Sequence, residues 1–222
     1  MMKKIAVGVA LAVWGSSVTA QMVGVGRIGA LAGVYDFDFD FSAGGVSASE
    51  SSSELSVGLL TGYTVAWETF FADLALEYQT VDGDGTADFD RTDVLVSVGA
   101  FLPADFSASI GYRFGYQGDG AFDDEFYNET GPFVGVGFPS FAVGGDWTVS
   151  TSAAVNFTEL EFPNNATADF FGISGRVAVS KPGMPHAFGL RLQQFSDDED
   201  GFDLTETYGH LFYQYNFFAM GG

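Results

Sequence analysis

The segment from Asp82 to Asp88 carries acidic side chains at a spacing that could bind a metal ion. Asp82, Asp84 and Asp88 supply carboxylate oxygens, and the first two lie two residues apart, as ligands in calcium-binding loops do. The segment departs from the EF-hand pattern, because Ala87 stands where that loop requires glycine and no glutamate closes it. The spacing therefore permits a Ca²⁺ site, the one cofactor that the sequence suggests. The alternative is a solvated acidic loop.

A second group of ionisable residues lies at alternate positions within apolar segments, on the parity that small and polar residues occupy. Charges that leave water lose hydration, so we expect these groups to pair with one another. Glu77 and Arg113 lie at the same distance from the ends of two predicted strands, and one further strand separates those two strands. This placement predicts an ion pair between Glu77 and Arg113. The network would either rigidify the protein or form a constriction that selects among solutes. Its members are Asp73, Glu77, Asp93, Arg113, Arg176, Arg191, Glu206 and His210.

Only two histidines, His186 and His210, are available for acid–base catalysis. His186 follows a turn that contains two prolines, and His210 lies inside the last apolar segment. A lone histidine within a network of charges is more often a hydrogen-bonded structural residue than a catalytic base. The histidines therefore indicate no catalytic site by themselves.

These residues are carried by ten segments in which apolar residues alternate with small or polar ones, the pattern of β-strands. Most of the segments contain 10 to 13 residues, and a tilted strand needs about 9–11 residues to cross a bilayer. We therefore predict an up-and-down antiparallel transmembrane barrel of ten strands, with eight strands as the fallback. The segments are 23–41, 54–66, 70–81, 91–102, 106–116, 129–138, 147–157, 169–180, 186–195 and 204–218.

The connections between these segments fall into two alternating classes. Polar connections of 8 to 12 residues are predicted at 42–53, 82–90, 117–128, 158–168 and 196–203. Mostly shorter ones, marked by prolines, are predicted at 67–69, 103–105, 139–146 and 181–185. Long loops at one end and short turns at the other are typical of barrels whose long loops face outward from the cell.

Composition limits the class of protein further. The chain has 30 glycines, 24 phenylalanines and no cysteine, which favours an aromatic-rich sheet protein without disulfides or thiolate metal sites. Lys3, Lys4, an apolar run to Trp14 and small residues before Ala20 predict a signal peptide at 1–20 and a mature domain at 21–222. Removal of that peptide leaves 6 basic against 29 acidic residues, a formal charge of −23, which excludes nucleic acid as a partner.

The character of the two faces of each strand helps to distinguish a membrane barrel from a soluble sandwich. One face of each strand is apolar and the other is small or polar, so a sandwich core built from the second face would be nearly hollow. A core built from the apolar face would be acceptable, and the sandwich remains the alternative. The first strand is irregular, because Tyr35, Phe37 and Phe39 lie on the opposite parity to Ile28 and its apolar neighbours. We predict a β-bulge near Val34 to reconcile them.

The last strand carries a family resemblance. Gly209, Leu211, Tyr213, Tyr215 and Phe217 alternate with His210, Phe212, Gln214, Asn216 and Phe218, although Ala219 to Gly222 follow the final aromatic residue. This resembles the aromatic C-terminal strand of outer-membrane β-barrel proteins of Gram-negative bacteria. The resemblance implies insertion by the barrel assembly machinery, contact with outer-membrane lipid and lipopolysaccharide, and a monomer.

The resemblance also bears on function. Deacylases of this class share a His-x-Ser pattern, whereas Leu211 and Phe212 follow His210 here. Barrel proteases hold carboxylates and histidine at the extracellular rim, where this chain has carboxylates but no histidine. We therefore expect a protein of structural or surface-exposed role with a mostly plugged lumen and no catalysis. The alternatives are a narrow porin-like channel and, less favoured, a barrel-type enzyme.

Overall fold

The computed structural model describes residues 23–43, 46–82, 88–120, 122, 126–199 and 202–220. The predicted signal peptide at 1–20 lies outside the described residues, and so does Asp84 of the predicted calcium loop. Among the described residues, no helix is long and apolar enough to cross a membrane.

Ten β-strands make up most of the described chain, as the alternating segments predicted. A single turn of 3-10 helix, Pro103–Asp105, lies between the fourth and fifth strands. The strands are β1 (Val23–Ala43), β2 (Val46–Trp67), β3 (Phe70–Asp82), β4 (Phe89–Phe101), β5 (Ser107–Gly118), β6 (Tyr127–Ala142), β7 (Thr148–Glu161), β8 (Thr167–Ser180), β9 (His186–Glu199) and β10 (Phe202–Met220).

The strands form one closed antiparallel barrel. Each strand pairs with its neighbours in sequence, and β1 also pairs with β10, from Val23↔Met220 to Phe41↔Phe202. Closure satisfies the backbone hydrogen bonds of every strand within the sheet, which a bilayer requires. The predicted all-β, ten-stranded up-and-down barrel is therefore confirmed.

The barrel has two ends, which we define by their connections. At the upper end, β1 connects to β2, β3 to β4, β5 to β6, β7 to β8 and β9 to β10. The lower end holds the other four connections and both ends of the described chain, Val23 and Met220.

The upper connections are shorter than the sequence predicted. Most of the segments predicted as loops at 42–53, 158–168 and 196–203 continue the flanking strands. Polar residues there looked like loop residues, but backbone pairing does not depend on side-chain polarity. Their polarity marks the part of each strand that extends beyond the apolar band.

The predicted bulge in β1 is wrong. Its pairing with β2 runs without a shift from Val23↔Ala66 to Ala43↔Val46. Ile28 and Val34 face outward, and so do the acidic residues that follow on the same parity, Asp36, Asp38 and Asp40. The outward side chains change from apolar to acidic because the strand extends beyond the apolar band. The same face of the strand points outward on both sides of this change.

The outer surface carries an apolar band that aromatic residues border. Ile110 is 66% exposed, Leu59 62% and Leu74 50%, values that soluble cores do not show. Phe157 and Trp147, both exposed, lie ten residues apart on or beside β7, which corresponds to about 25 Å along the normal for a strand tilted by about 40°. This is the height of the band in transmembrane barrels. Exposed aromatic residues near the lower end are Tyr63, Trp67, Phe70, Phe106, Phe138, Phe141, Trp147, Tyr215 and Phe217.

Candidate functional site

The upper half of the lumen is filled by large apolar and aromatic side chains, which we call the aromatic layer. Tyr35 on β1 packs edge-on against Phe89 on β4, with ring centroids 5.1 Å apart, and against Tyr208 on β10 at 4.8 Å. Since β1 and β4 are separated by two strands, this packing spans the lumen. The layer consists of Tyr35, Val81, Phe89, Tyr127, Leu160, Ala168, Phe170, Phe195, Leu204 and Tyr208, all buried.

Below it lies the charged layer, formed by Arg91, Asp93, Arg113, Glu129 and Glu206, whose side chains are at most 5% exposed. Arg91 is its centre. Its guanidinium group pairs with Asp93 at 3.2 Å, with Glu206 at 3.3 Å and with Glu129. These partners lie on β4, β10 and β6, so a single side chain joins three strands around the lumen.

Arg113 provides the second positive charge of the charged layer. Its Nη2 lies 2.9 Å from Asp93 Oδ1, and its Nε lies 3.6 Å from Glu129 Oε1. The guanidinium carbon also lies 4.5 Å from the ring centroid of Phe195, a cation–π distance. Arg91 lies 5.9 Å from the same ring, and its strand β4 is diametrically opposite β9 in the ring of strands.

The charged layer contains three carboxylates and two guanidinium groups, an excess of one negative charge. Three tyrosine hydroxyls of the aromatic layer donate to Glu206: Tyr35 at 3.1 Å, Tyr208 at 3.3 Å and Tyr127. Hydrogen bonds to an ionised group are among the stronger ones in proteins. The tyrosines therefore stabilise the extra carboxylate where water cannot.

Two glycines make room for these layers. A Cβ atom at Gly115 would lie 3.0 Å from Asp93 Oδ1 and 3.1 Å from Arg91 Nη2. At Gly172 it would lie 2.3 Å from Cδ1 of Phe195. A larger residue at either position would displace the charged or aromatic groups.

The lower half contains separate ion pairs. Arg27 makes a two-point contact with Asp73, at 2.7 and 2.8 Å, and also donates to Thr64 at 2.9 Å. Arg191 on β9 reaches across the lumen to Glu77 on β3. The predicted pair between Glu77 and Arg113 is therefore wrong, because Arg113 meets Asp93 on the neighbouring strand before it can reach Glu77.

Arg176 differs from the other lumen arginines. It donates to the amide oxygen of Gln214 at 2.7 Å, and its guanidinium carbon lies 4.2 Å from the ring centroid of Phe212. Neither partner is charged. On β8 it is in register with Arg191 on β9.

His210 contacts a possible nucleophile. Its Nε2 lies 3.0 Å from Ser56 Oγ, the distance expected between a base and a serine. Both residues have 0% exposure, and Nδ1 of His210 has no hydrogen-bond partner among the described residues. The pair thus lies out of reach of a substrate and lacks the third group that orients a catalytic base.

A cavity of about 90 Å³ lies below the charged layer. Glu77, Arg176 and Arg191 of the predicted group line it, together with small and amide residues and the apolar side chains of Leu95, Phe133 and Val136. The structure thus distributes the predicted group: Asp93, Arg113 and Glu206 lie in the charged layer, Asp73, Glu77, Arg176 and Arg191 in the lower half, and His210 beside Ser56.

The sequence analysis missed several members of these clusters. Arg91 and Glu129 are central residues of the charged layer. Each is the first residue of a predicted strand segment, 91–102 or 129–138, and neither was included in the predicted group of ionisable residues. Their positions in the alternating pattern could have identified them as lumen residues. Arg91 lies on the same face of its strand as Asp93, and Glu129 lies on the same face of its strand as Phe133. Arg27 was hidden by the uncertain register of β1.

The predicted calcium site is not assembled in the described residues. Asp82 and Asp88 are exposed, and no group of three metal-ligating side chains occurs among the described positions, which omit 83–87. The Ca²⁺ site remains a prediction.

A closed barrel with an apolar band of bilayer height and a charged interior is the architecture of outer-membrane β-barrels. No family model and no curated protein matches the chain. Among solved structures it is similar to the β domain of the Bordetella autotransporter Brka, with 15% identity, a TM-score of 0.42 and coverage of 88% of this chain and 99% of that one. It is also similar to a bacterial polysaccharide outer membrane secretin (8% identity, TM-score 0.40, coverage 88% and 98%) and to the translocator domain of autotransporter NalP from Neisseria meningitidis (11%, 0.35, 90% and 90%).

Proposed function

We propose that the chain is an integral outer-membrane protein whose lumen is closed and whose role is structural or surface-exposed. The observation that carries the proposal is the contact of Arg91 with side chains on β6, β9 and β10, which joins opposite walls of the lumen. Paired charges and packed rings at this level would obstruct a hydrated ion.

The proposal includes no catalysis. Among the residues that the structure describes, the one serine–histidine contact, Ser56 with His210, is buried beneath the aromatic layer. A nucleophile has to meet its substrate, and neither Ser56 nor His210 has any exposed surface.

Conductance in planar bilayers tests the closed lumen. The purified protein should insert into the bilayer in KCl solution without producing discrete current steps. A variant with Arg91→Ser, Phe195→Ala and Tyr208→Ala should conduct, which shows that the assay detects inserted barrels. Steps from the unchanged protein equal to those of the variant would overturn the proposal.

A second candidate function is a narrow channel, as the cavity and the small residues of the lower half suggest. It requires the charged layer to move. Conductance that appears only at high applied voltage, and that Glu206→Gln increases, would favour this candidate.

The proposal also places the upper end outside the cell. A protease site inserted at Gly120 or Asp200 should be cleaved on intact cells, whereas one inserted at Gly183, in a lower connection, should be protected. The opposite pattern would reverse the orientation.

A further inference from the structure

Among the described residues, the lower half of the lumen holds one positive charge more than its carboxylates neutralise. Arg27 pairs with Asp73 and Arg191 with Glu77, while Arg176 contacts the uncharged side chains of Gln214 and Phe212. Arg176 and Arg191 lie in register on neighbouring strands. Like charges away from bulk water repel more strongly than in solution, so this wall of the barrel favours an anion.

The cavity beside these arginines supplies further hydrogen-bond donors. Its lining includes Ser152, Asn156, Ser174 and Gln193, and Nε of Arg191 is buried without a partner among the described residues. An unsatisfied buried donor is costly unless a ligand or water accepts from it. Glu77 also lines the cavity, but Arg191 neutralises its charge.

The cavity is large enough for a small ion. Its volume of about 90 Å³ is several times the ~10–15 Å³ that one buried water molecule requires. A tetrahedral oxyanion such as phosphate fits this volume.

The residues between the cavity and the lower end are small. Gly137, Ser150 and Ser180 occupy lumen positions between it and that end, and all three are partly exposed. Small residues along this wall leave a path that the aromatic layer blocks from above.

We propose that this cavity is a binding site for a small oxyanion of the size of phosphate, held by Arg176 and Arg191 and entered from the lower end. A guanidinium group offers a planar pair of donors that matches two oxygens of such an ion. The site does not depend on whether the barrel conducts.

Calorimetric titration of the folded protein in detergent with sodium phosphate, at ionic strength held constant by NaCl, tests the proposal. The unchanged protein should bind phosphate saturably, and Arg176→Gln should weaken binding about tenfold or more. Arg176→Lys, which keeps the charge but loses the planar donor pair, should give an intermediate affinity. Lys181→Gln removes one positive charge at a lower connection outside the cavity and should leave binding unchanged.

A second variant keeps the test independent of folding defects. Ser174→Leu fills the cavity without altering any charge, and it should abolish binding in protein whose circular dichroism shows an intact barrel. Absence of saturable binding in the unchanged protein would overturn the proposal. Equal losses in Arg176→Gln and Lys181→Gln would do so as well, because they would indicate diffuse attraction to surface charge.

Discussion

The upper and lower halves of the lumen both contain charges, but they compensate them differently. The charged layer has one excess carboxylate, and three tyrosine hydroxyls from the aromatic layer hydrogen-bond to Glu206. The lower half has one excess guanidinium group, that of Arg176, beside a cavity lined by small residues. Protein groups fill one half, and the other leaves space for solvent or a ligand.

This difference suggests different roles for the two halves. The carboxylate of Glu206 accepts hydrogen bonds from fixed protein donors on several strands, so it needs no water and links those strands. The guanidinium group of Arg176 lies beside a cavity, so its N–H donors remain available to a ligand. The same barrel can therefore be closed at one level and bind a small anion at another.

Loss of one central charge should have the largest effect on this comparison. Arg91→Met leaves Glu129 and Glu206 buried without their main partner, and breaking a buried ion pair in this way costs about 3–5 kcal/mol. Arg176→Met leaves no carboxylate unpaired and should cost about 1 kcal/mol, the net value of a hydrogen bond. Urea unfolding in lipid vesicles, followed by tryptophan fluorescence, measures both. Equal losses would show that the halves do not differ.

The assignment of faces, on which both halves depend, predicts the next largest effect. Leu74→Arg places a charge in the apolar band and should reduce the free energy of unfolding by about 2–4 kcal/mol. Val96, also on the outward parity, should behave similarly. Ser150→Arg, at a partly exposed lumen position near the lower end, should cost less. The same unfolding experiment compares them, and equal tolerance at the two faces would contradict the membrane barrel.

Strand number and facing were predictable because they depend on a local period of two residues. Leu74 outward and Glu77 inward follow from parity alone. Side-chain partners were less predictable, since Arg191 reaches Glu77 across the lumen and the chain contains no local sign of which strands lie opposite. The ends of strands were also missed, because polar residues such as Asp36 signal the edge of the apolar band and not the end of pairing.

A smaller effect on the free energy of unfolding is expected when a tyrosine of the aromatic layer loses its hydroxyl group. Tyr35→Phe removes one of the hydroxyl groups that donate to Glu206 and keeps the ring in place. We expect a loss of about 1 kcal/mol in the free energy of unfolding. Tyr112→Phe, on the outer face beside Val96 and Phe114, is the control and should have little effect. If both variants were equally stable, Glu206 would not depend on these donors.

The smallest effect on stability is expected from Ca²⁺ binding by the acidic residues where β3 connects to β4, at the upper end of the barrel. Such binding would be a further difference between the two ends. Carboxylates at Asp82, Asp84 and Asp88 would repel one another less with a divalent cation between them, and the cation could also bridge them to anionic lipopolysaccharide. For a Kd on the order of 1 mM, 1 mM Ca²⁺ should stabilise the protein by about 0.4 kcal/mol. Thermal unfolding in detergent should respond more to Ca²⁺ than to NaCl of equal ionic strength. Changing the three aspartates to Asn should remove that excess.

Three acidic residues of the lower connections provide the matched control for this experiment. Glu68→Gln with Asp105→Asn and Asp146→Asn removes the same number of charges at the other end, so the response to Ca²⁺ should persist. Loss of the response in both triple variants would indicate that Ca²⁺ acts on the net charge of the protein. Identical responses to the two salts would leave the upper acids as a solvated surface, and the two ends would then differ only in what fills the lumen.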